Sequence, residues 1–237
     1  MEQLFKDLTT KLKEAFGDGL LSVMVYGSAA SGDHHGKYSD VNVLCVVSRL
    51  GPAELMRAES GLAWWRSQHN PAPMLMTLDE LKTSADAFPI EYHDILDRRK
   101  VVYGVDAIAG LQVAKVNYRA QIERELRAGL FRFRLKAAPL LATKKGLLEL
   151  MLDSVSTFCL LGRHAMLASG LDVGPRKRDA ADVMRGFGVD SHAFHTLLDI
   201  REGKTKPDSV DAYVLFGSYL TAIQTLIRFV DELRVSS

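Results

Sequence analysis

Apolar residues near the start of the chain recur at helical spacing. Leu4, Phe5, Leu8, Leu12 and Phe16 fall on one face of residues 3–16, and Gly17-Asp18-Gly19 stops that helix. The pattern then changes to short apolar runs, Leu20–Tyr26 and Val41–Val47, which predict two buried strands. Pro52 to His69 predicts a helix with Pro52 in its first turn. Met74–Leu78 predicts a third strand and Leu78–Ala87 a short helix. Ile90–Ile95 alternates as a fourth strand, and Lys100–Tyr103 reads as a fifth ahead of Gly104. From about Val113 to Leu233 the period is helical throughout. Tyr118–Ala138 carries Ile122, Leu126, Leu130 and Phe133, and Pro139 ends or kinks it. Leu147–Leu167, Arg178–Phe187, Ala193–Arg201 and Val210–Leu233 follow, with a loop over Gly170–Pro175. The pattern predicts an α/β (α+β) fold: a small mixed sheet with flanking helices over residues 1–108, then an all-α bundle of about five helices over residues 109–237.

The charge balance narrows the partners. The 237 residues carry a formal net charge of +1, without the basic excess of a protein that coats DNA or RNA, so nucleic acid is not the default partner. Small or nucleotide-like substrates fit better. Cys45 and Cys159 sit in apolar segments and read as buried reduced thiols; their spacing to each other and to histidine does not suggest zinc. The amphipathic, charged N-terminus lacks the pattern of a signal peptide. No uninterrupted apolar run approaches the ~20 residues of a membrane span. The expectation is a soluble, cytoplasmic protein without a membrane partner.

One segment carries candidate chemistry. The first strand ends in Gly27-Ser28, a short helix and loop follow, and the second strand is entered through Asp40-Val41-Asn42. A glycine at a strand-to-helix turn lets phosphate approach the backbone closely. The helix start offers free N–H groups, and the Ser28 hydroxyl adds a donor. Residues two apart on a strand project from one face, so Asp40 and Asn42 point the same way.

This Gly-Ser, short gap, Asp-x-Asp arrangement between apolar strands resembles the nucleotidyltransferase superfamily, in particular its minimal and aminoglycoside nucleotidyltransferases, which often carry a helical bundle after the catalytic domain. The likeness covers residues ~20–105 well and the helical half only generally. It implies binding of ATP or another NTP by Gly27, Ser28, Ser31 and Lys37, and Mg²⁺ held by Asp40, position 42 and a third carboxylate on a later strand. Glu91 and Asp94 are the candidates for that carboxylate. Strand alternation would separate them and place Glu91 beside Asp40 on an open sheet face, as metal ligand and base. The implied reaction moves a nucleoside monophosphate from NTP to a hydroxyl of a small molecule or a protein, in a site between the two halves.

The chain departs from the pattern at Asn42, where the superfamily has Asp. An amide oxygen touches a cation without supplying charge, and Mg²⁺ prefers carboxylate and phosphate oxygens. The alternative expectation is therefore a catalytically weak or inactive nucleotide-binding or regulatory module, or a partner in a toxin–antitoxin-like pair. His34 and His35 read as a solvated loop. Arg124, Arg127, Arg132, Arg134 and Lys136 read either as a basic wall or as a face paired with Glu123 and Glu125. Trp64-Trp65 packs a helix on the sheet. The apolar stripe Phe216, Leu220, Ile223, Leu226, Ile227 and Val230 reads as bundle core, with a homodimer surface as a second use.

Overall fold

The computed structural model describes residues 1–30, 41–113 and 117–233. The chain divides into two compact units, Met1–Ala114 and Lys115–Ser237.

Unit 1 runs α1 (Glu2–Phe16), β1 (Leu20–Tyr26), β2 (Asn42–Val47), α2 (Pro52–Ser67), β3 (Met74–Thr77), α3 (Leu78–Thr83), α4 (Pro89–Asp97) and β4 (Arg99–Gly104). The sheet is mixed, in the order β3-β2-β1-β4: β1 is antiparallel to β2 and β4, and β2 is parallel to β3. The sequence of β2, Asn42-Val-Leu-Cys-Val-Val47, is apolar at every position after the first, so both of its faces need cover. On one face Val43, Cys45 and Val47 pack with Val23 and Val25 of β1 under Phe5, Leu8 and Leu12 of α1 and Trp65 of α2. On the other, Leu44 and Val46 pack with Met24 of β1 under Leu81 of α3 and Tyr92 and Ile95 of α4. Burying each such aliphatic side chain contributes about 1.5–3 kcal/mol. Trp65 is fully buried and donates its indole N–H to the Pro71 carbonyl at 2.8 Å.

Two expectations are corrected here. Residues 90–95 form helix α4, not a strand. Pro89 occupies the first turn, where its missing N–H is no loss. Tyr92, Ile95 and Leu96, at helical spacing, pack into the core, and the Tyr92 hydroxyl donates to the Leu81 carbonyl at 2.7 Å. The sheet face that carries Asn42 is also not open, because α3 and α4 cover it.

Unit 2 contains α5 (Tyr118–Ala137), α6 (Lys144–Ala168), α7 (Lys177–Met184), α8 (His192–Arg201) and α9 (Ala212–Glu232). Its centre is aromatic. Phe133 of α5, Phe158 of α6, Phe194 of α8 and Phe216 of α9 surround or adjoin Tyr219, with ring centroids 5.2–6.3 Å apart. Mostly edge-on geometries of this kind contribute about 0.5–1.5 kcal/mol per pair beyond area burial. The Tyr219 hydroxyl shares a 3.1 Å hydrogen bond with Ser154. Helix α9 is long and apolar enough on average to cross a membrane, by length and composition only. Of the predicted stripe, Ile223, Leu226, Ile227 and Val230 are buried and Phe216 and Leu220 half-buried, while Leu215 and Tyr219, outside that stripe, are buried as well.

Candidate functional site

Strand β1 delivers the chain to Tyr26, and Gly27 turns it. Gly27 has φ +73°, in the left-handed region that glycine enters without steric cost. Its N–H donates to the Arg98 carbonyl at 3.0 Å, and its carbonyl accepts from the Ala30 N–H at 3.1 Å, closing a 3-10 turn over Gly27–Ala29 that includes Ser28. Asn42 begins β2 directly opposite Tyr26, and a β-carbon on Gly27 would lie 3.5 Å from the Asn42 side-chain nitrogen. The turn and Asn42 are therefore neighbours at one end of the sheet.

Strand alternation puts Tyr26 on the face shared with Met24 and covered by α4. The Tyr26 hydroxyl is pushed up to about 12, first by burial, then by the negative charge of Asp94, then by that of Glu91. Both candidate carboxylates therefore act on the end of β1 next to Gly27. They do so from a helix, where residues three apart share a face, so the expected separation of Glu91 from Asp94 does not occur. Asp94 is buried and Glu91 half-buried, which leaves Glu91 the more accessible of the two. The later strands carry no carboxylate at all: β3 is Met-Leu-Met-Thr and β4 is Arg-Lys-Val-Val-Tyr-Gly. Arg99 of β4, also opposite Tyr26, is held in a fork by Asp106, with contacts of 2.8–3.1 Å that keep the Asp106 carboxyl below its usual range.

Ser31, Lys37 and Asp40, with His34 and His35, lie outside the described residues. Among the described residues no group of three or more His, Cys, Asp or Glu could hold a metal ion. Asn42, Glu91 and Asp94 bring one amide oxygen and two carboxylates, donor chemistry of the kind a hard cation takes. Sequence reasoning missed Tyr26 as part of this end. Its only sequence signal was its place before Gly27.

Part of the basic stretch on α5 is paired. Glu123 accepts from Arg119 and Arg127 at 3.1 and 2.8 Å, and Arg124 lies 3.3 Å from Glu125. Arg163 and His164 are buried in the bundle, where the His164 ring nitrogen Nδ1 meets the Tyr118 hydroxyl at 2.6 Å.

No protein-family model matches the chain, and no curated protein matches it. Solved structures do. Spectinomycin adenyltransferase AAD(9) from Enterococcus faecialis, solved with ATP and spectinomycin, superposes with a TM-score of 0.59 at 12% identity, over 97% of this chain and 99% of that one. The fold is nucleotidyltransferase-like. At that identity the likeness speaks to architecture alone.

Proposed function

We propose that the chain binds ATP or another NTP with Mg²⁺ at the β1–β2 end of unit 1 and transfers a nucleoside monophosphate from it to a hydroxyl of a small molecule or protein. The observation that supports this is the left-handed Gly27 turn beside Asn42, with the Glu91 and Asp94 charges close by, in a fold shared with an adenyltransferase. Gly27, Ser28, Ser31 and Lys37 hold the phosphates, and Asp40, Asn42 and Glu91 hold Mg²⁺. The bound ion supplies neutralisation of phosphate charge. The acceptor oxygen bonds to the α-phosphorus, the bond to the bridging oxygen breaks, and pyrophosphate leaves. Glu91 takes the hydroxyl proton.

A second reading has its own support. Asn42 removes one expected charge, and neither β3 nor β4 replaces it. This favours a nucleotide-binding regulatory module without turnover, acting through a protein partner. Removing one group that stabilises developing charge costs roughly 10²–10³ in kcat. Pyrophosphate release with ATP and Mg²⁺ over a panel of hydroxyl acceptors separates the readings. The transfer reading expects slow release that rises about a hundredfold in Asn42→Asp and disappears in Asp40→Ala. ATP binding by calorimetry with no release, even in Asn42→Asp, rejects transfer and leaves the binding module. Absence of binding by any of ATP, GTP, CTP and UTP rejects both.

A further inference from the structure

Helix α5 closes at Ala137, a 3-10 turn spans Ala138–Leu140, and α6 begins at Lys144. The intervening sequence, Ala-Ala-Pro-Leu-Leu-Ala-Thr, is uncharged and bracketed by Lys136 on one side and Lys144-Lys145 on the other. Leu140 turns inward over Gly146, where an added β-carbon would meet its side chain at 3.0 Å. Leu141 turns outward and is 52% exposed. The first turn of α9 reaches the same end of the bundle: the Lys144 ammonium lies 5.7 Å from the Tyr213 ring, and the adjacent Val214 is 67% exposed. Leu135, one turn back on α5, is also exposed.

Charge follows the same division. No Asp or Glu occurs from Leu126 to Leu148, a stretch that holds Arg127, Arg132, Arg134, Lys136, Lys144 and Lys145 in a chain of net charge +1. We propose that this end of unit 2 docks on an anionic lipid surface. Leu141 and Val214 enter the headgroup boundary, and Lys136 and Lys145 meet the phosphate and carboxylate headgroups, with Lys144 shared with Asp211 at the start of α9. Exposed aliphatic side chains at a helical-hairpin turn, flanked by lysines, match the two contributions to interfacial binding, buried apolar area and attraction to anionic lipid. Lysine stems add to this by lying along apolar surface while their ammonium groups stay in the polar layer. A nucleic-acid surface would leave the aliphatic tip without a role, since single-stranded bases are held by aromatic stacking. Lack of an uninterrupted spanning run concerns crossing a membrane, and resting on one makes a different demand.

The test is co-sedimentation of the full-length protein with vesicles of phosphatidylcholine plus phosphatidylserine, and with vesicles of phosphatidylcholine alone. Binding is expected to the anionic vesicles only and to weaken with salt. Lys145→Ala should lower the partition about fivefold, and Leu141→Asp should lower it by roughly tenfold or more. Met56→Asp, at an exposed position in unit 1, should leave it unchanged. Thermal melts of the Leu141 and Lys145 variants should match the parent, since both side chains are exposed. No sedimentation with anionic vesicles overturns the proposal. Partition that survives Leu141→Asp while falling with Lys145→Ala marks a general polyanion surface and overturns it too.

Discussion

Replacing Gly27 with alanine tests the turn at the end of β1 quantitatively. At φ +73° a β-carbon crowds its own backbone, which costs about 1–2 kcal/mol. The new methyl would lie 3.5 Å from the Asn42 side-chain nitrogen, an ordinary contact, so no displacement is added. Two other glycines of unit 1 bracket this expectation. Gly110, at φ +76°, has no atom within 4 Å of its would-be β-carbon, so Gly110→Ala isolates the backbone cost. Gly104, at φ +74°, would drive a β-carbon to 2.0 Å from the Leu21 carbonyl oxygen, so the main chain must part where Gly104 pairs with Ser22. Gly27→Ala and Gly110→Ala should therefore each cost about 1–2 kcal/mol, and Gly104→Ala more than about 4 kcal/mol. With a urea dependence of about 2 kcal/mol per molar, the first two midpoints fall by roughly 0.5–1 M. Tryptophan fluorescence reads unit 1 alone, because both tryptophans, Trp64 and Trp65, lie in α2. A Gly27→Ala midpoint that drops as far as that of Gly104→Ala, or that stays put while Gly110→Ala moves, would refute the reasoning. The proposed phosphate contact adds a second readout: ATP affinity should fall in Gly27→Ala and not in Gly110→Ala.

Three further outcomes are expected. The Tyr26 phenol ionises near 12 in the folded chain and near its usual 10 when unfolded, so its contribution to stability is present below pH 10 and is lost as pH rises toward 12; Glu91→Gln should lower the folded value in an ultraviolet phenolate titration, and no change would place Glu91 too far away to matter. Glu202 is held down to about 2, first by its hydrogen bond from Arg178, so its stabilisation is present above pH 4.5 and is lost between 4.5 and 2; Arg178→Ala should flatten that acid limb of unit 2 stability, by about 1 kcal/mol or less given the pair's partial exposure. Burial pushes the Cys45 and Cys159 thiols up to about 12, so thiol reagents should label neither in the native protein at neutral pH and both in urea; rapid native labelling would contradict their packing.

The strand and helix periods in the sequence carried most of the fold. Leu20–Tyr26 is a strand to the residue, and five helices follow Tyr118 among the described residues. The failure at residues 90–95 has a local cause. Ile-Glu-Tyr-His-Asp-Ile alternates over too short a stretch to separate a period of two from one of 3.6, and Pro89, the helix-start signal, was the better guide. That one misreading propagated into the site, because it put Glu91 on a strand and Asp94 on the opposite face. Cover over the Asn42 face was legible in hindsight from Leu44 and Val46, which no single layer of helices could have buried together with Val43 and Cys45. The environment of Tyr26 was not legible locally, since it depends on an α4 helix far along the chain.

The Gly27 amide is fastened to the carbonyl of Arg98, and the edge of β1 away from β2 pairs with β4, a strand more than seventy residues further along the chain. During synthesis the turn therefore emerges long before the element that fixes it. The β1–β2 hairpin-like pair, α2 and β3 can assemble first, while closing the sheet with β4 must carry the loop-closure entropy of everything between. The end of the sheet that would meet a nucleotide is thus among the later parts of unit 1 to acquire its shape as the chain leaves the ribosome.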